Sequence, residues 1–361
     1  MIRGALLGTA LFACAAMIHA QEADSGIGLR ATLTTQAVAS NELTEAPRSG
    51  APIVAGGRAM VYPTIKFNRT LYVTAALQAV TRPYYFDDLS TIGYGAYARV
   101  LQATLNYSRV SQDGSVLLRA GQMSSAFGSF LLRYDDLDNP LVGLPPGYGY
   151  YYAPVGLLGV AGAQIDATRG KIDARLQFAN SSPANPRSIF DGDQYGNWAG
   201  GGGYTIRQGL RVGVSGYRGP YLDRHYAFFT PGEANPDTLP AHAVGVDGDW
   251  AHGHTHVWIE MQRFVMPYTA IPNFRQSTAY VDLKRVLGPR WFVAGRYGYN
   301  STSATGIAHS IETAVAFRPN RLQLVKAGYQ EQLHSSPTES DDHRFAIQLI
   351  TSLDKSFARS R

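Results

Sequence analysis

The residues of this chain that could do chemistry are charged side chains gathered in a few places. Arg133, Asp135, Asp136 and Asp138 fall close together, with Tyr134 among them and Tyr148, Tyr150, Tyr151 and Tyr152 soon after. His252, His254 and His256 form a His-x-His-x-His run beside Asp249. On a strand His254 and His256 would share a face and could chelate, but nothing nearby except Asp249 completes a ligand set. Asp135-Asp136 and Asp341-Asp342 are paired carboxylates, and Asp342-His343 is an acid beside a base. Adjacent strand residues point to opposite faces, however, and no Ser or Thr nucleophile stands in a recognisable context. Gly200 to Gly203 is followed by neither Lys-Ser/Thr nor a helix, so it is not a phosphate loop. Such a run suits a tight bend, or the close approach of another segment. No catalytic residue, metal or cofactor is expected. What remains for these side chains is electrostatics: fixing a field, pairing, and lining a polar space.

A second set of charges is spread along the chain at period two. Ile172, Ala174, Leu176 and Phe178 alternate with Lys171, Asp173, Arg175 and Gln177. Leu210, Val212 and Val214 alternate with Arg211, Gly213 and Ser215, and Ile311, Thr313, Val315 and Phe317 with Ser310, Glu312, Ala314 and Ala316. Alternation of this kind puts one face of a strand in an apolar medium and the other in a polar one. The polar parity carries Arg30, Lys66, Arg119, Lys171, Arg175, Arg211, Lys284 and Arg296, against Asp166, Asp173, Asp247, Asp249, Glu260, Asp282 and Glu312. It is wet and mixed in charge, and it is not a packed core.

The elements that hold these faces are strands joined by connections of alternating length. Short turns fall at Asn68-Arg69, Gln112-Asp113-Gly114, Arg169-Gly170, Gln208-Gly209, His252-Gly253, Gly288-Pro289 and Pro319-Asn320. Long connections lie at about 38–57, 82–94, 124–157, 181–196, 219–241, 265–275, 300–308 and 333–342. Seven short and eight long connections define sixteen strands, with both chain ends on the short-turn side. A soluble sandwich has no reason to sort its connections in this way. A transmembrane barrel does, because lipid cannot satisfy a free strand edge and closure removes every edge. The expected fold is all-β: a transmembrane antiparallel up-and-down barrel of sixteen strands. Sixteen strands leave an aqueous channel where eight would be filled by side chains. Tyr107, Tyr204, Tyr217, Trp250, Trp291, Tyr297 and Phe317, at strand ends, are expected to form interfacial girdles.

The composition agrees. The 361 residues include 38 Gly and 22 Tyr, and only 16% are charged, which argues against disorder. Residues 1–20 have Arg3 as their one charge, an apolar stretch from Ala5 to Ile18 and a small residue at Ala20, the layout of a signal peptide. The expected division is therefore a leader over 1–20 and a barrel over 21–361. The one cysteine, Cys14, lies in that leader, where Leu11-Phe12-Ala13-Cys14 only loosely fits a lipidation signal. The processed chain then has no disulfide or thiolate chemistry. Losing Arg3 takes the formal net charge from +5 to +4, too little for a nucleic-acid partner.

The third long connection, about 124–157, is the longest. It follows Leu117 to Met123 and opens with Phe127-Gly128. In its architecture, and at Arg119-x-Gly121 followed by Phe127-Gly128, the chain resembles the sixteen-stranded bacterial porins, and in particular the phosphate-selective type. The resemblance implies a third outer loop folded into the lumen to narrow it, a bacterial outer-membrane location in contact with lipid, and a homotrimer. It also implies a water-filled channel for passive diffusion of small hydrophilic solutes or ions. A basic ladder marking phosphate selectivity is missing, because acids are interspersed with the Arg and Lys. With the loop folded inward, Asp135, Asp136 and Asp138 would face lumen arginines such as Arg119, Arg175 and Arg211, setting a transverse field across a constriction to which Arg133 and Arg296 also belong. The alternative is a plugged barrel that serves as a surface receptor, adhesin or outer-membrane enzyme.

Overall fold

The computed structural model describes residues 25–41, 53–82, 84, 95–149, 158–180, 196–220, 240–268, 272–304, 306–335 and 341–358. The expected leader and Tyr150 to Tyr152 lie outside them. Sixteen strands follow one another: β1 (Gly26–Ser40), β2 (Ile53–Lys66), β3 (Leu71–Arg82), β4 (Gly95–Val110), β5 (Gly114–Ser124), β6 (Leu158–Arg169), β7 (Ile172–Ala179) and β8 (Asn197–Arg207), then β9 (Leu210–Pro220), β10 (Pro240–His252), β11 (Thr255–Met266), β12 (Phe274–Gly288), β13 (Trp291–Thr302), β14 (Gly306–Asn320), β15 (Gln323–His334) and β16 (Asp342–Ala358). Each pairs antiparallel with its sequence neighbour, and β1 pairs with β16 from Gly26↔Ala358 to Ser40↔Arg344, which closes the barrel.

The two faces sort as the alternation requires. On β1, Thr32, Thr34 and Gln36 are buried inside while Leu33 points out, 53% exposed. On β10, Val244 and Val246 point out while Ala243 and Asp247 point in. Apolar side chains thus form an exposed outer belt around a polar interior, the reverse of a soluble core, and the arrangement is stable only with lipid outside. Trp291 packs on Phe317 with ring centroids 4.5 Å apart, on the outer face at one rim. Tyr217 departs from the expected girdle. It shares the inward parity of Arg211 and Ser215, packs beside Phe264 and Ala199, and hydrogen-bonds Asn197.

The short turns are local structures. At Asn68 the side-chain oxygen accepts from the Thr70 and Leu71 amides, both at 2.8 Å, which fixes the hairpin without a glycine. The seventh outer connection was expected over 300–308, but β13 runs to Thr302 and β14 starts at Gly306, so it is three residues long. Asn300 and Thr302 are buried on the lumen side, where a barrel tolerates polar residues, and so a polar run at a strand's outer end imitates a loop. β5 and β6 carry a register shift between Met123 and Ser124, at the point where the third outer loop leaves the wall.

Candidate functional site

The third outer loop turns into the barrel and is fastened to the inner wall along its described length. Ala126 donates to Gln177. Phe127 is buried among Ala199, Ala243 and Phe264, meeting Phe264 edge-on with centroids 5.5 Å apart. This carries the chain from β5 across to β10 and β11. Gly128 sits at φ 77°, its amide donates to Ser215 and its carbonyl accepts from Arg175. A Cβ there would lie 2.2 Å from the Tyr148 hydroxyl and 2.9 Å from Glu260, so both conformation and space demand glycine. The Glu260 carboxylate then collects the Ser129 amide at 2.7 Å, the Tyr148 and Tyr280 hydroxyls and the Gln262 amide. Burial, with the Glu260 charge beside it, pushes the Tyr148 phenol well above its ordinary pKa.

A short 3-10 turn, Phe130–Arg133, brings Arg133 onto Asp282 at 2.8 Å and over the Trp258 ring, 4.3 Å from its centroid. The acidic run follows. Asp135 accepts from Thr32 at 2.9 Å and from Tyr62, and Asp136 accepts from Thr34, Tyr84 and Arg58. Arg58 and Asp136 are 2.8 Å apart with side chains 0% and 1% exposed, a fully buried ion pair. Asp138 pairs with Arg30 at 3.0 Å. The return leg runs along β15, β14 and β13, further round the same side of the barrel. The Lys326 ammonium donates to the carbonyls of Asp136, Asn139 and Leu141, and the Glu312 carboxylate accepts the Val142 and Gly143 amides. Arg296 bridges Asp282 and Glu312 and also donates to the Gly143 carbonyl. A helical turn, Pro146–Gly149, seats Pro146 over Gly298 and returns Tyr148 to Glu260.

The loop therefore occupies the half of the barrel bounded by β11 to β16 and β1 to β3. On the other side of its outgoing leg lies a cavity of about 950 Å³. Its walls are β2 to β11, and Ser125, Gly128, Ser129, Leu131 and Leu132 of the loop face it. Arg119, Arg175 and Arg211 project into this cavity from β5, β7 and β9. Arg119 pairs with Asp166 at 2.6 Å. Arg211 spans three strands, binding Asp173 at 2.6 Å and Asp247 at 2.6 Å. Gly203, the register partner of both Asp173 and Gly213, makes that reach possible, because a Cβ there would come within 2.1 Å of the guanidinium. The glycine run of β8 thus makes room for an arginine of the next strand, a close approach by a neighbouring side chain and not a tight bend. Arg175 donates to the Gly128 carbonyl, a neutral acceptor.

Of the eight candidate residues, Arg119, Arg175 and Arg211 border the cavity, whereas Arg133, Asp135, Asp136, Asp138 and Arg296 fasten the loop to the wall. The expected juxtaposition of loop acids with Arg119, Arg175 and Arg211 does not occur. The acids meet Arg30 and Arg58, Arg119 and Arg211 meet acids of the wall, and Arg175 meets the loop at the Gly128 carbonyl. The physical reason is desolvation: a buried carboxylate needs a fixed cation and donors at once, and β1 and β2 supply both. Arg58 and Lys326 are the residues that the sequence reading missed. Arg58 shares the parity of Tyr62, Thr64 and Lys66, but Gly56-Gly57 before it hides the alternation. His256 points inward and bonds Asp249 at 2.6 Å, and no group of three metal-ligating side chains occurs among the described residues.

No protein-family model matches the chain, and no curated protein matches its sequence. Solved structures do match its shape. The anion-selective porin from Comamonas acidovorans superposes with a TM-score of 0.65 at 10% identity, covering 91% of this chain and 100% of that one. The outer membrane channel DcaP of Acinetobacter baumannii gives 0.62 at 11% identity, over 91% and 97% of the two chains. The trimer form of OmpT, an outer membrane protein of Vibrio cholerae, gives 0.59 at 12% identity, over 91% and 100%. With its closed sixteen-stranded antiparallel wall, this chain has the fold of the bacterial outer-membrane porins.

Proposed function

We propose that the protein is an outer-membrane channel for passive diffusion of small hydrophilic solutes or ions, made by a chain whose first 20 residues direct export and are removed. The observation that carries this reading is the cavity beside the inward loop: about 950 Å³, reaching from the short-turn rim at Gly170, Gly209 and Gly253 to the loop at Ser129. A loop fastened over one half of the barrel narrows the lumen and leaves the other half open. Arg119, Arg175 and Arg211 serve as lining groups, and Arg133, Asp135, Asp136, Asp138 and Arg296 set the constriction by holding the loop. The cations of the cavity are offset by Asp166, Asp173, Asp247 and Asp249, so charge selectivity is weak, with any anion preference coming from Arg175 and Lys171, which donate to backbone carbonyls. A homotrimer in outer-membrane lipid is the assembly this fold suggests, as in the trimer form of the Vibrio cholerae protein. Liposomes carrying the purified protein should swell in isotonic sugars at rates that fall with sugar size. Swelling no faster than in protein-free liposomes would favour a plugged barrel instead.

A further inference from the structure

The cavity is not uniformly polar, and its two sides differ in kind. From β2 to β5 the inward residues bordering it include Met60, Leu101 and Leu117, and Leu131 and Leu132 of the loop face the same space. From β5 to β9 they are Arg119, Arg175 and Arg211 with their acids. Tyr62, Thr64, Thr74, Gln102 and Asn106 stand among the apolar residues of the first side, and along one register row Leu117 is partnered by Asp166, and Asp166 by Arg175. Inward apolar side chains are out of place in a lumen that holds only water and hydrophilic solutes, since barrel interiors are polar. Met60 and Leu101 are explained in part by packing under the loop with Ala76 and Tyr134. Leu131 packs against that cluster while remaining partly exposed, Leu117 lies outside it and Leu132 is partly exposed, so an apolar patch extends past what anchoring needs. Opposite it, Arg175 gives a single hydrogen bond to the neutral Gly128 carbonyl, while Arg119 and Arg211 are each matched by carboxylates.

We infer that this cavity is a binding site for small amphipathic carboxylates, with the hydrocarbon body against Leu117, Leu131 and Leu132 and the carboxylate on Arg175. The inference rests on the channel reading and narrows it: the pore selects for anions with an apolar body over equally sized hydroxylated ones. A guanidinium presents paired donors that fit a carboxylate, and the carboxylate of its register partner Asp166 is engaged by Arg119. The apolar wall adds affinity in proportion to hydrocarbon area removed from water.

The test uses the full-length protein in lipid nanodiscs and a matched pair of ligands, cyclohexanecarboxylate and quinate, which share ring and carboxylate and differ mainly in hydroxyl groups. Calorimetric titration should show cyclohexanecarboxylate binding about tenfold more tightly, a gap set by the apolar area buried. Leu117→Thr, which alters the wall away from the loop, should bring the two affinities together. Arg175→Gln should weaken both acids by a similar factor. Equal binding of the two acids, or a preference unchanged by Leu117→Thr, would overturn the inference. Channel activity is read separately. A protein that conducts without the preference overturns this site alone, and one that binds with the preference but does not conduct overturns the channel reading alone.

Discussion

At the scale of single residues, the loop is held by charges that have no exit to water. Arg58 and Asp136 form a pair with both side chains buried, and removing one member of such a pair leaves the other charge uncompensated. Arg58→Ala should therefore destabilise the folded barrel by about 3–5 kcal/mol, read as a lower thermal unfolding midpoint in detergent. Arg58→Met combined with Asp136→Leu should recover part of that loss, because neither member of the pair is then left buried without the other, although Thr34 and Tyr84 lose an acceptor. The cavity arginines differ in being partly hydrated. Arg119→Glu places a second carboxylate beside Asp166 and should shift the reversal potential in a salt gradient towards cations; an unchanged potential would place Arg119 away from the path of ions. The sequence made these residues legible as charges, and parity told which face most of them take. It could not tell where around the circumference each one lies. Asp135 and Asp136 were visible as a cluster, but their partners sit on strands 78 to 103 residues earlier, and only closure of the barrel brings Thr32, Thr34 and Arg58 to them.

At the scale of the element, the third outer loop behaves as a docked segment. Gly128 is its pivot, and Gly128→Ala must displace Tyr148 or Glu260 as well as strain a left-handed backbone. That variant should assemble but show a noisier, larger conductance. Tyr148 gives the docking a pH dependence. Its folded pKa is raised above the ordinary value of about 10, so the contact is fully present below that pH and is lost as the pH rises through the folded value. Conductance should be flat from neutral pH to about 9 and rise in stronger alkali, and Tyr148→Phe should remove the rise. The existence and length of this loop were readable from the spacing of strand patterns and from Phe127-Gly128. Its fastening was not, because it uses backbone carbonyls on Lys326 and backbone amides on Glu312, which leave no mark in side-chain types. The three-residue connection at 303–305 was hidden for the related reason that lumen-facing Asn300 and Thr302 look like loop residues.

At the scale of the whole molecule, period-two alternation and alternating connection lengths carried the fold: a strand count, its parity, closure, and an outer apolar belt all follow from them once lipid is the solvent. The cavity between the loop and the wall from β2 to β11 did not follow, because it depends on which wall the loop is fastened to. The central claim is that this cavity is a continuous water-filled path beside a fixed loop, and single-channel recording in planar bilayers tests it most directly, comparing the intact protein with a chain lacking Leu131 to Tyr148. The intact protein should give discrete, stable conductance steps, and the shortened one steps roughly twofold larger or more with weaker selectivity, since a sixteen-stranded wall without its loop encloses a wide pore. The absence of steps from the intact protein, with steps appearing only after the deletion, would show that the loop plugs the barrel and would contradict the claim.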